Sequence, residues 1–205
     1  MKKGEIMSNV PDARGRILSA AVKVFAEKSF EGSRIADIAK IANVPNSLIY
    51  YHFKNKDDIL EVLIKNVLDE YSQLLQIAKN DSHSNKTKTI ADRIENHYWG
   101  FALKNVDLIR IMLIESLKKS ADMPSIFKAV EELIKNDSEV IKANDYSIHE
   151  RLVAEFFTIQ VPIFIFLCFK KQWCDYFNIA EEDLNRLFTN LIAETHGAYH
   201  KNRIE

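Results

Sequence analysis

Residues 45–56 concentrate polar and aromatic side chains in one short run, which reads PNSLIYYHFKNK. Amides and hydroxyls can read the edges of DNA bases, rings can contact thymine methyl groups, and ammonium groups can contact phosphates. The residues with this chemistry are Asn46, Ser47, Tyr50, Tyr51, His52, Lys54 and Lys56. We therefore interpret the run as a candidate nucleic-acid surface. The alternative is that Tyr50 and Tyr51 are half-buried rings that support a short helix.

Three short helical segments are predicted to position this run. Apolar residues within 12–28 recur at helical spacing, which predicts an amphipathic first helix. Ser33 is expected to cap a second helix, and Asn43 tolerates the left-handed conformation at its end. Pro45 suits the first turn of a third helix that reaches Tyr51. Helix, three-residue turn, helix is typical of a helix-turn-helix, whose second helix enters a major groove.

Longer helices are predicted for the rest of the chain. Asn55, followed by Asp57 and Asp58, is typical of a helix N-cap with acids in the first turn, and this fourth helix is expected to continue to about Lys79. Later helices are predicted at 89–104, 106–119, 124–136, 148–171 and 181–201. We expect a flexible arm over 1–10, a helix-turn-helix domain over 11–55, and a helical effector-binding and dimerisation domain over 56–205.

Composition favours an all-α fold of about nine helices. The 205 residues are 47% hydrophobic and 28% charged, and only 5 Gly and 4 Pro are available for the many tight turns of a β-sandwich or barrel. Two cysteines are too few for a secreted disulfide scaffold, so we expect a cytoplasmic protein. The most apolar stretch, 156–169, is shorter than the roughly 20 residues of a bilayer span. It predicts a buried helix and no membrane partner.

Charge is distributed unevenly along the chain. Residues 1–60 carry 10 Lys/Arg against 7 Asp/Glu, while the remainder carries 18 against 22. The N-terminal part is therefore mildly basic, an asymmetry that permits a polyanionic partner and is also common in ordinary globular chains.

Residues 17–60 resemble the N-terminal signature of TetR-family transcriptional regulators. The segment reads ILSAAVKVFAEKSFEGSRIADIAKIANVPNSLIYYHFKNKDDIL and follows the family order of A..VF.E, F.G, IA..A.V and YYHF.K.D. The positions that match are Ala20, Phe25, Phe30, Gly32, Ile38, Ala39, Val44, Tyr50, Tyr51, His52, Phe53 and Lys56. The remaining residues match the family only in length and helical character.

The resemblance implies roles for individual residues. Those that would approach phosphates are Ser33, Tyr51, His52, Lys54 and Lys56. Those nearest to base edges would be Asn46, Ser47 and Tyr50. Arg14 and Arg16 could reach a flanking phosphate or the minor groove, or could remain solvated charges.

Several positions depart from the family pattern. Ser29 and Asn43 stand where the family commonly has Gly, and Asn is a benign substitute at positive φ. Residues 45–48 read PNSL where the family commonly has a Ser-Lys-Gly-Thr-like run. Because this run reads the bases, no operator sequence can be transferred from a relative. Asn46 can pair with adenine, which favours A·T content beneath it.

The last two helices are expected to form a homodimer interface. The final helix carries an apolar stripe, and the helix before it is apolar nearly all round, so it must be covered on every side. The resemblance implies the same four-helix interface, and the alternative is a monomer with one central helix. The candidate interface residues are Phe156, Leu184, Leu187, Phe188, Leu191 and Ile192.

The resemblance also implies a pocket for a small hydrophobic effector in the larger domain. The candidates are His97, Trp99, Phe101, Met112, Glu115, Phe127, Phe157, Gln160 and Phe164. Aromatic residues at helical spacing can equally be plain core. Three polar residues inside apolar runs, His97, Glu115 and Gln160, are more informative because each needs a partner if buried.

No enzyme motif accompanies these features. The sequence has no HExxH, no Gly-rich phosphate loop and no GxSxG, and we expect no cofactor and no metal. His196 and His200 stand at a metal-ligand spacing, but so near the terminus we interpret them as solvated. We therefore expect a ligand-responsive homodimeric repressor that binds a palindromic operator and is released by a small lipophilic effector. The alternative is a helix-turn-helix protein without an effector.

Overall fold

The computed structural model describes residues 12–83, 90–118, 124–136 and 147–201, and within these ranges every regular element is helical. The predicted arm over 1–10 lies outside the described residues. The helices are α1 (Ala13–Gly32), α2 (Ile35–Ala42), α3 (Asn46–His52), α4 (Lys56–His83), α5 (90–104), α6 (Val106–Ser116), α7 (Ser125–Asn136), α8 (Ile148–Phe177) and α9 (181–201). The predicted all-α fold is confirmed, and these nine described helices lie close to the predicted positions.

The chain divides into two compact units, Met1–Leu63 (unit 1) and Ile64–Glu205 (unit 2). Unit 1 contains α1 to α3 and the first turns of α4. Its core is formed by three large side chains from α1 and one from each of the other three helices, all less than 2% exposed. They are Ile17, Val24, Phe25, Ile38, Ile49 and Ile59. The short helices α2 and α3 have little stability of their own, so the core that they share with α1 and α4 fixes the position of α3.

The turn between α2 and α3 has the predicted left-handed residue. Asn43 ends α2 with φ 53° and ψ 55°, and the Val44 N–H donates to the Ala39 carbonyl at 3.1 Å. The start of α4 is also as predicted. Asn55 Oδ1 accepts from the Asp58 N–H at 2.8 Å, and Asp58 Oδ2 accepts from the Lys54 N–H at 2.9 Å. Caps on both sides therefore set the length of α3 and its flanking loops.

The end of α1 is strained. Ser29 has φ 63° and ψ 163°, a region of backbone conformation that is essentially reserved for glycine. This is the position at which the sequence departs from the glycine common in the family it resembles. The Ser29 hydroxyl accepts a hydrogen bond from the Gly32 N–H at 3.3 Å, which offsets part of the cost.

Unit 2 is organised around α8, which contacts α5, α6, α7 and α9. The main core cluster includes Ile94, Ile109, Phe164, Leu167 and Ile192, one or more from each of four helices. A second, smaller cluster joins Tyr71 and Leu75 of α4 to Ala129 of α7.

Three helices of unit 2 each contain a π-helical segment. These segments are Ile94–Tyr98 in α5, Phe156–Gln160 in α8 and Ala193–Gly197 in α9. A π-helical segment admits an extra residue into a helix and is often found at functional sites. The segments in α8 and α9 contact each other, so two of the three meet in the interior of the unit.

The α8 helix, Ile148–Phe177, is 30 residues long and apolar enough to cross a membrane by length and composition alone. A core helix of a helical domain passes the same test. Arg151, Glu155, Gln160 and Lys170 are all buried within this helix, and four other helices of unit 2 pack on it. These features favour the core helix that the sequence predicted, although the helix is longer than the predicted 148–171.

Ser29→Gly is expected to raise the free energy of unfolding by about 1 kcal/mol, because glycine adopts this backbone conformation without strain. Losing the hydrogen bond between the Ser29 hydroxyl and the Gly32 N–H offsets only part of this gain in stability. Urea unfolding followed by circular dichroism measures the change. The matched control is Ser19→Gly in the exposed, helical part of α1, which we expect to lower stability by about 0.5–1 kcal/mol. Equal losses in the two variants would contradict the strain at Ser29.

Candidate nucleic-acid interface and effector site

The α3 helix presents one face to the core of unit 1 and the other to solvent. Ile49 is completely buried and Phe53 follows it at 2% exposure. On the opposite side, Asn46 and Ser47 are exposed, and one turn later Tyr50 is 58% and Tyr51 is 81% exposed. Residues four apart on a helix share a face, so these four form one continuous polar and aromatic surface. The alternative of half-buried supporting tyrosines does not fit these exposures. The four residues of this exposed surface are Asn46, Ser47, Tyr50 and Tyr51.

His52 and Lys54 lie at the C-terminal edge of this surface. The His52 ring is partly buried between its neighbours, with its centroid 5.1 Å from that of Tyr51 and 6.3 Å from that of Phe53. Lys54 is exposed, and its backbone N–H donates a hydrogen bond to Asp58. The ammonium of Lys54 is therefore available to an anionic partner.

Lys56 and Ser33 are placed differently from our prediction. Lys56 Nζ lies 2.5, 3.3 and 3.1 Å from the carbonyl oxygens of Phe30, Glu31 and Ser33, and 4.5 Å from the centre of the Phe30 ring. An ammonium group has three donors, and these carbonyls account for them. Lys56 thus holds the carbonyl end of α1 where we expected a phosphate contact.

The prediction that Ser33 caps α2 is wrong. Ser33 is only 5% exposed, and its hydroxyl contacts the carbonyls of Val24 and Ser29 in α1. The N-cap of α2 is Arg34, whose side chain is exposed. A buried hydroxyl turned towards α1 cannot also reach a phosphate, so we replace Ser33 with Arg34 as the candidate at this position. The sequence contained a signal for this position, because the residue next to Ser33 is the cation Arg34.

The arginines of α1 also have partners in unit 1. The guanidinium of Arg14 lies 5.3 Å from the centre of the Phe53 ring, and Arg16 Nε donates to the Ala42 carbonyl at 3.4 Å. Neither is a purely solvated charge. Each secures one of the loops beside α3.

The aromatic residues predicted to line an effector pocket fall into two groups. Trp99, Phe101, Met112 and Phe164 lie in the interior of unit 2 or pack directly against it. Phe127 and Phe157 are exposed, and both pack edge-on against Phe156 with ring centroids 5.3 and 4.9 Å apart. We correct the assignment of these two residues, since apolar spacing alone did not show which side of the helix faces inward. The aromatic and apolar residues that remain as interior candidates are Trp99, Phe101, Met112 and Phe164.

The three polar candidates differ in their partners. Glu115 Oε2 pairs with Lys118 Nζ at 2.6 Å, and His97 Nε2 lies 3.4 Å from Asp81 Oδ2. Gln160 is 4% exposed, and neither Nε2 nor Oε1 of its amide has a hydrogen-bond partner among the described residues. Of the three, Gln160 alone therefore keeps both a donor and an acceptor unsatisfied in the described interior.

His196 is buried, so our interpretation of it as solvated is wrong. The Thr158 hydroxyl donates to the Ala154 carbonyl at 2.6 Å and lies 2.6 Å from His196 Nδ1. His196 Nε2 lies 3.6 Å from Glu155 Oε2, and Glu155 Oε1 lies 3.7 Å from Arg151 Nε. This network ties α8 to α9 in the interior of unit 2.

No group of three or more His, Cys, Asp or Glu residues in the described ranges is arranged to hold a metal ion. The side chain of His200, the other member of the histidine pair, lies outside the description.

Two further titratable groups are held in their neutral form. Burial raises the pKa of Tyr71 well above its usual value, and the nearby Tyr98 and Glu155 raise it further. Burial also raises the pKa of the Cys168 thiol, although Arg110 opposes the shift. Tyr71 is therefore a hydrogen-bond donor in the interior of unit 2, and Cys168 lacks the thiolate character that nucleophilic cysteines need.

Two adjacent helices carry exposed apolar residues. On α8 these follow one another at intervals of four or eight, and on α9 two leucines are exposed. The residues are Val153, Phe157, Ile165, Phe169, Trp173, Phe177, Leu187 and Leu191, and we call them the apolar stripe.

The predicted dimer residues divide between this stripe and the core. Leu187 and Leu191 belong to the stripe. Leu184 and Ile192 are buried within the chain, and Phe188 stacks on Phe166 with ring centroids 3.9 Å apart. Phe156 packs against Phe127, as described above. Leu184 and Ile192 are therefore covered within their own chain, and we withdraw these two residues from the interface. A broad stripe on a helix can serve two neighbours, and its pattern does not show which half faces its own chain. The rings of Phe156 and Phe188 are partly exposed, so their place in an interface stays a prediction.

The sequence model that describes bacterial regulatory proteins of the tetR family matches residues 17–63. Residues 17–63 are a TetR-family domain. The match covers all of α2 and α3, the greater part of α1 and the start of α4, which is the part of the chain that carried the resemblance.

Curated relatives are similar to about a third of this chain. The HTH-type transcriptional regulator HbdR of Aromatoleum sp. (strain CIB) is 47% identical over 64 residues, which are 31% of this chain and 28% of HbdR. The icaADBC negative transcriptional regulator IcaR of Staphylococcus aureus is 31% identical over 70 residues, 34% of this chain and 38% of IcaR. The alignments thus span well under half of either relative. Both relatives are named as regulators and neither as an enzyme.

Solved structures resemble most of the chain in fold. A TetR transcriptional regulator from Legionella pneumophila aligns with a TM-score of 0.62 at 18% identity, covering 91% of this chain and 98% of that one. The regulator FadR from Bacillus subtilis, solved with stearoyl-CoA, aligns with a TM-score of 0.57 at 20% identity, covering 86% and 94%. At these identities the likeness shows the fold, a TetR-family domain followed by a larger helical region.

Lys56→Ala is expected to lower the free energy of unfolding of the TetR-family domain by about 1–3 kcal/mol, because it removes charged hydrogen bonds to three carbonyls. Lys54→Ala is the matched control two residues away, and its exposed side chain should leave stability within about 0.5 kcal/mol of the original. Thermal unfolding of both variants measures the difference. Equal melting temperatures would show that Lys56 does not hold α1.

Proposed function

We propose that the chain is a DNA-binding transcriptional repressor that acts as a homodimer on a palindromic operator and responds to a small hydrophobic ligand. The observation that carries the proposal is the outward face of α3 in a TetR-family domain. Four exposed residues on this short helix offer amide, hydroxyl and phenolic groups to the edges of bases, as a recognition helix requires. They are Asn46, Ser47 and Tyr50, together with Tyr51, which the resemblance placed near phosphates and which we move to the bases because it lies one turn from Ser47 on the same exposed face.

Cations beside α3 support the same proposal. Lys54 follows the helix with its ammonium exposed, and Arg34 is exposed at the start of α2. Contacts from such residues to phosphates set the register of a protein on the duplex, while contacts to bases give specificity. We assign Lys54, Arg34 and His52 to the phosphate backbone. Lys56 acts indirectly by holding the end of α1.

A second copy of this chain is the partner we propose for the apolar stripe. A single helix-turn-helix makes few base contacts, and two-fold dimers that read two half-sites are the usual solution. The stripe runs along α8 and continues onto α9, so it offers a long, self-complementary surface of the kind that two-fold symmetry uses. Leaving so many large apolar side chains in water is unusual for a monomer.

Ligand response is supported by the interior of unit 2 and by one structural neighbour. FadR from Bacillus subtilis, whose fold this chain shares, is described in complex with stearoyl-CoA. The interior here combines aromatic residues with the unsatisfied amide of Gln160. We propose a lipophilic effector, which can change operator affinity only by binding the DNA-bound and released conformations with different affinity. The protein would act in the cytoplasm.

Tyr51→Ala is expected to weaken binding to duplexes selected from a random pool by about tenfold and to relax their sequence preference. Lys54→Ala should weaken binding evenly across sequences and reduce the slope of log affinity against log salt by about 1 per subunit. Fluorescence anisotropy at several salt concentrations measures both effects. The control is Lys171→Ala, an exposed lysine of α8. The proposed interface would be rejected if all three variants bound alike.

Phe169→Glu is expected to convert the dimer to a monomer, because it places two charges in a desolvated two-fold interface. Light scattering after size exclusion measures the mass. Leu117→Glu is the control, since Leu117 is an exposed leucine at the end of α6, outside the apolar stripe. A dimer that persists in Phe169→Glu, or is lost equally in Leu117→Glu, would show that the stripe is not the interface.

A further inference from the structure

Gln160 is placed where a polar side chain is costly. It ends the π-helical segment of α8, is 4% exposed, and has neither a donor nor an acceptor for its amide among the described residues. Buried amides without partners carry a desolvation penalty, so each one calls for an explanation. A carboxamide that is both an unused donor and an unused acceptor fits a ligand group with the complementary pair.

Apolar side chains follow Gln160 on the same side of its helix. In the α-helical part that begins at Val161, the residues at i+3 and i+4 share the face of Gln160, and these are Ile163 and Phe164. Both belong to the main core cluster of unit 2. A molecule that reaches Gln160 must therefore present an apolar body to these side chains.

The buried arginine and the buried lysine in the described interior of unit 2 already have partners of opposite charge. Arg151 faces Glu155, and Lys170 pairs with Glu181 at 2.6 Å. Breaking a buried pair to bind a new ion is costly because it leaves the other charge uncompensated. No charge in this set is free to neutralise a ligand carboxylate or ammonium, which favours a neutral polar group at Gln160.

We propose that Gln160 binds the polar end of the effector and that this end is a neutral carboxamide on an apolar chain. The ligand carbonyl accepts from Nε2 of Gln160, and the ligand N–H donates to Oε1. The inference rests on the proposed ligand response, and it adds the chemical class of the group recognised. Two reciprocal hydrogen bonds distinguish an amide from an ester, which has no donor, and from a carboxylate or ammonium, which brings an unpaired charge into the interior.

The test is calorimetric titration of the full chain with four probes that share one alkyl chain. They are dodecanamide, methyl dodecanoate, sodium dodecanoate and dodecylamine. We expect the amide to bind about tenfold more tightly than the ester and both charged probes to bind more weakly still. In Gln160→Met, which keeps the size of the side chain and removes its polar groups, the preference for the amide should disappear.

Gln172→Met is the matched control, because Gln172 is an exposed glutamine on the same helix. It should retain the amide preference. The melting temperature of ligand-free Gln160→Met should rise, since an unsatisfied amide is removed, whereas Gln172→Met should melt like the original chain.

Each other outcome overturns the inference. Binding of all four probes with equal affinity, or tightest binding of the carboxylate, would show that Gln160 does not select the polar end, while the ligand response proposed above would stand. An amide preference that survives in Gln160→Met would place recognition elsewhere. Failure of all four probes to bind would reject both the inference and the lipophilic effector, but not DNA binding, which the Tyr51 and Lys54 variants test separately.

Discussion

Burial of Ile49 is the constraint on which the outward chemistry of α3 depends. A helix of seven residues has almost no stability of its own, so its orientation is decided by what it buries. Ile49 and Phe53 lie in the core of unit 1, and Tyr50 and Tyr51 consequently point to solvent. The surrounding contacts keep this core in place. Lys56 holds the end of α1, and the Arg14 guanidinium covers the Phe53 ring.

Periodicity predicted the helices well because that signal is local, and capping was predicted correctly at Asn43 and Asn55 but not at Ser33. Asn43 has the left-handed conformation expected of it, and the Asn55 cap forms as predicted. Long side chains were harder to place. Lys56 closely follows the candidate recognition helix, a place where a lysine is expected to contact phosphate. Its four methylene groups instead let the ammonium reach carbonyls more than twenty residues away in the chain. Nothing in the local pattern distinguishes the two destinations.

Faces of helices were predicted less well than helices themselves. Leu184 and Leu187 lie on the same amphipathic stripe of α9, yet the first is buried and the second exposed. The division depends on the angle at which neighbouring helices pack, which a single sequence does not contain. Polar residues inside apolar runs were the better signal. His196 has partners that no sequence pattern showed, whereas Gln160 was singled out by its apolar surroundings, and its amide has no hydrogen-bond partner among the described residues.

The π-helical segment of α8 has a geometric consequence for so long a helix. In an uninterrupted α-helix each step of four residues advances about 40° around the axis, so a row of side chains at that interval drifts off its neighbours. One additional residue in Phe156–Gln160 turns the later part of the helix back by up to about 100°. Val153 before the segment can thus stay aligned with Phe169 after it. This one irregular turn corrects the phase of the helix, so its exposed apolar residues can stay on one face along its length.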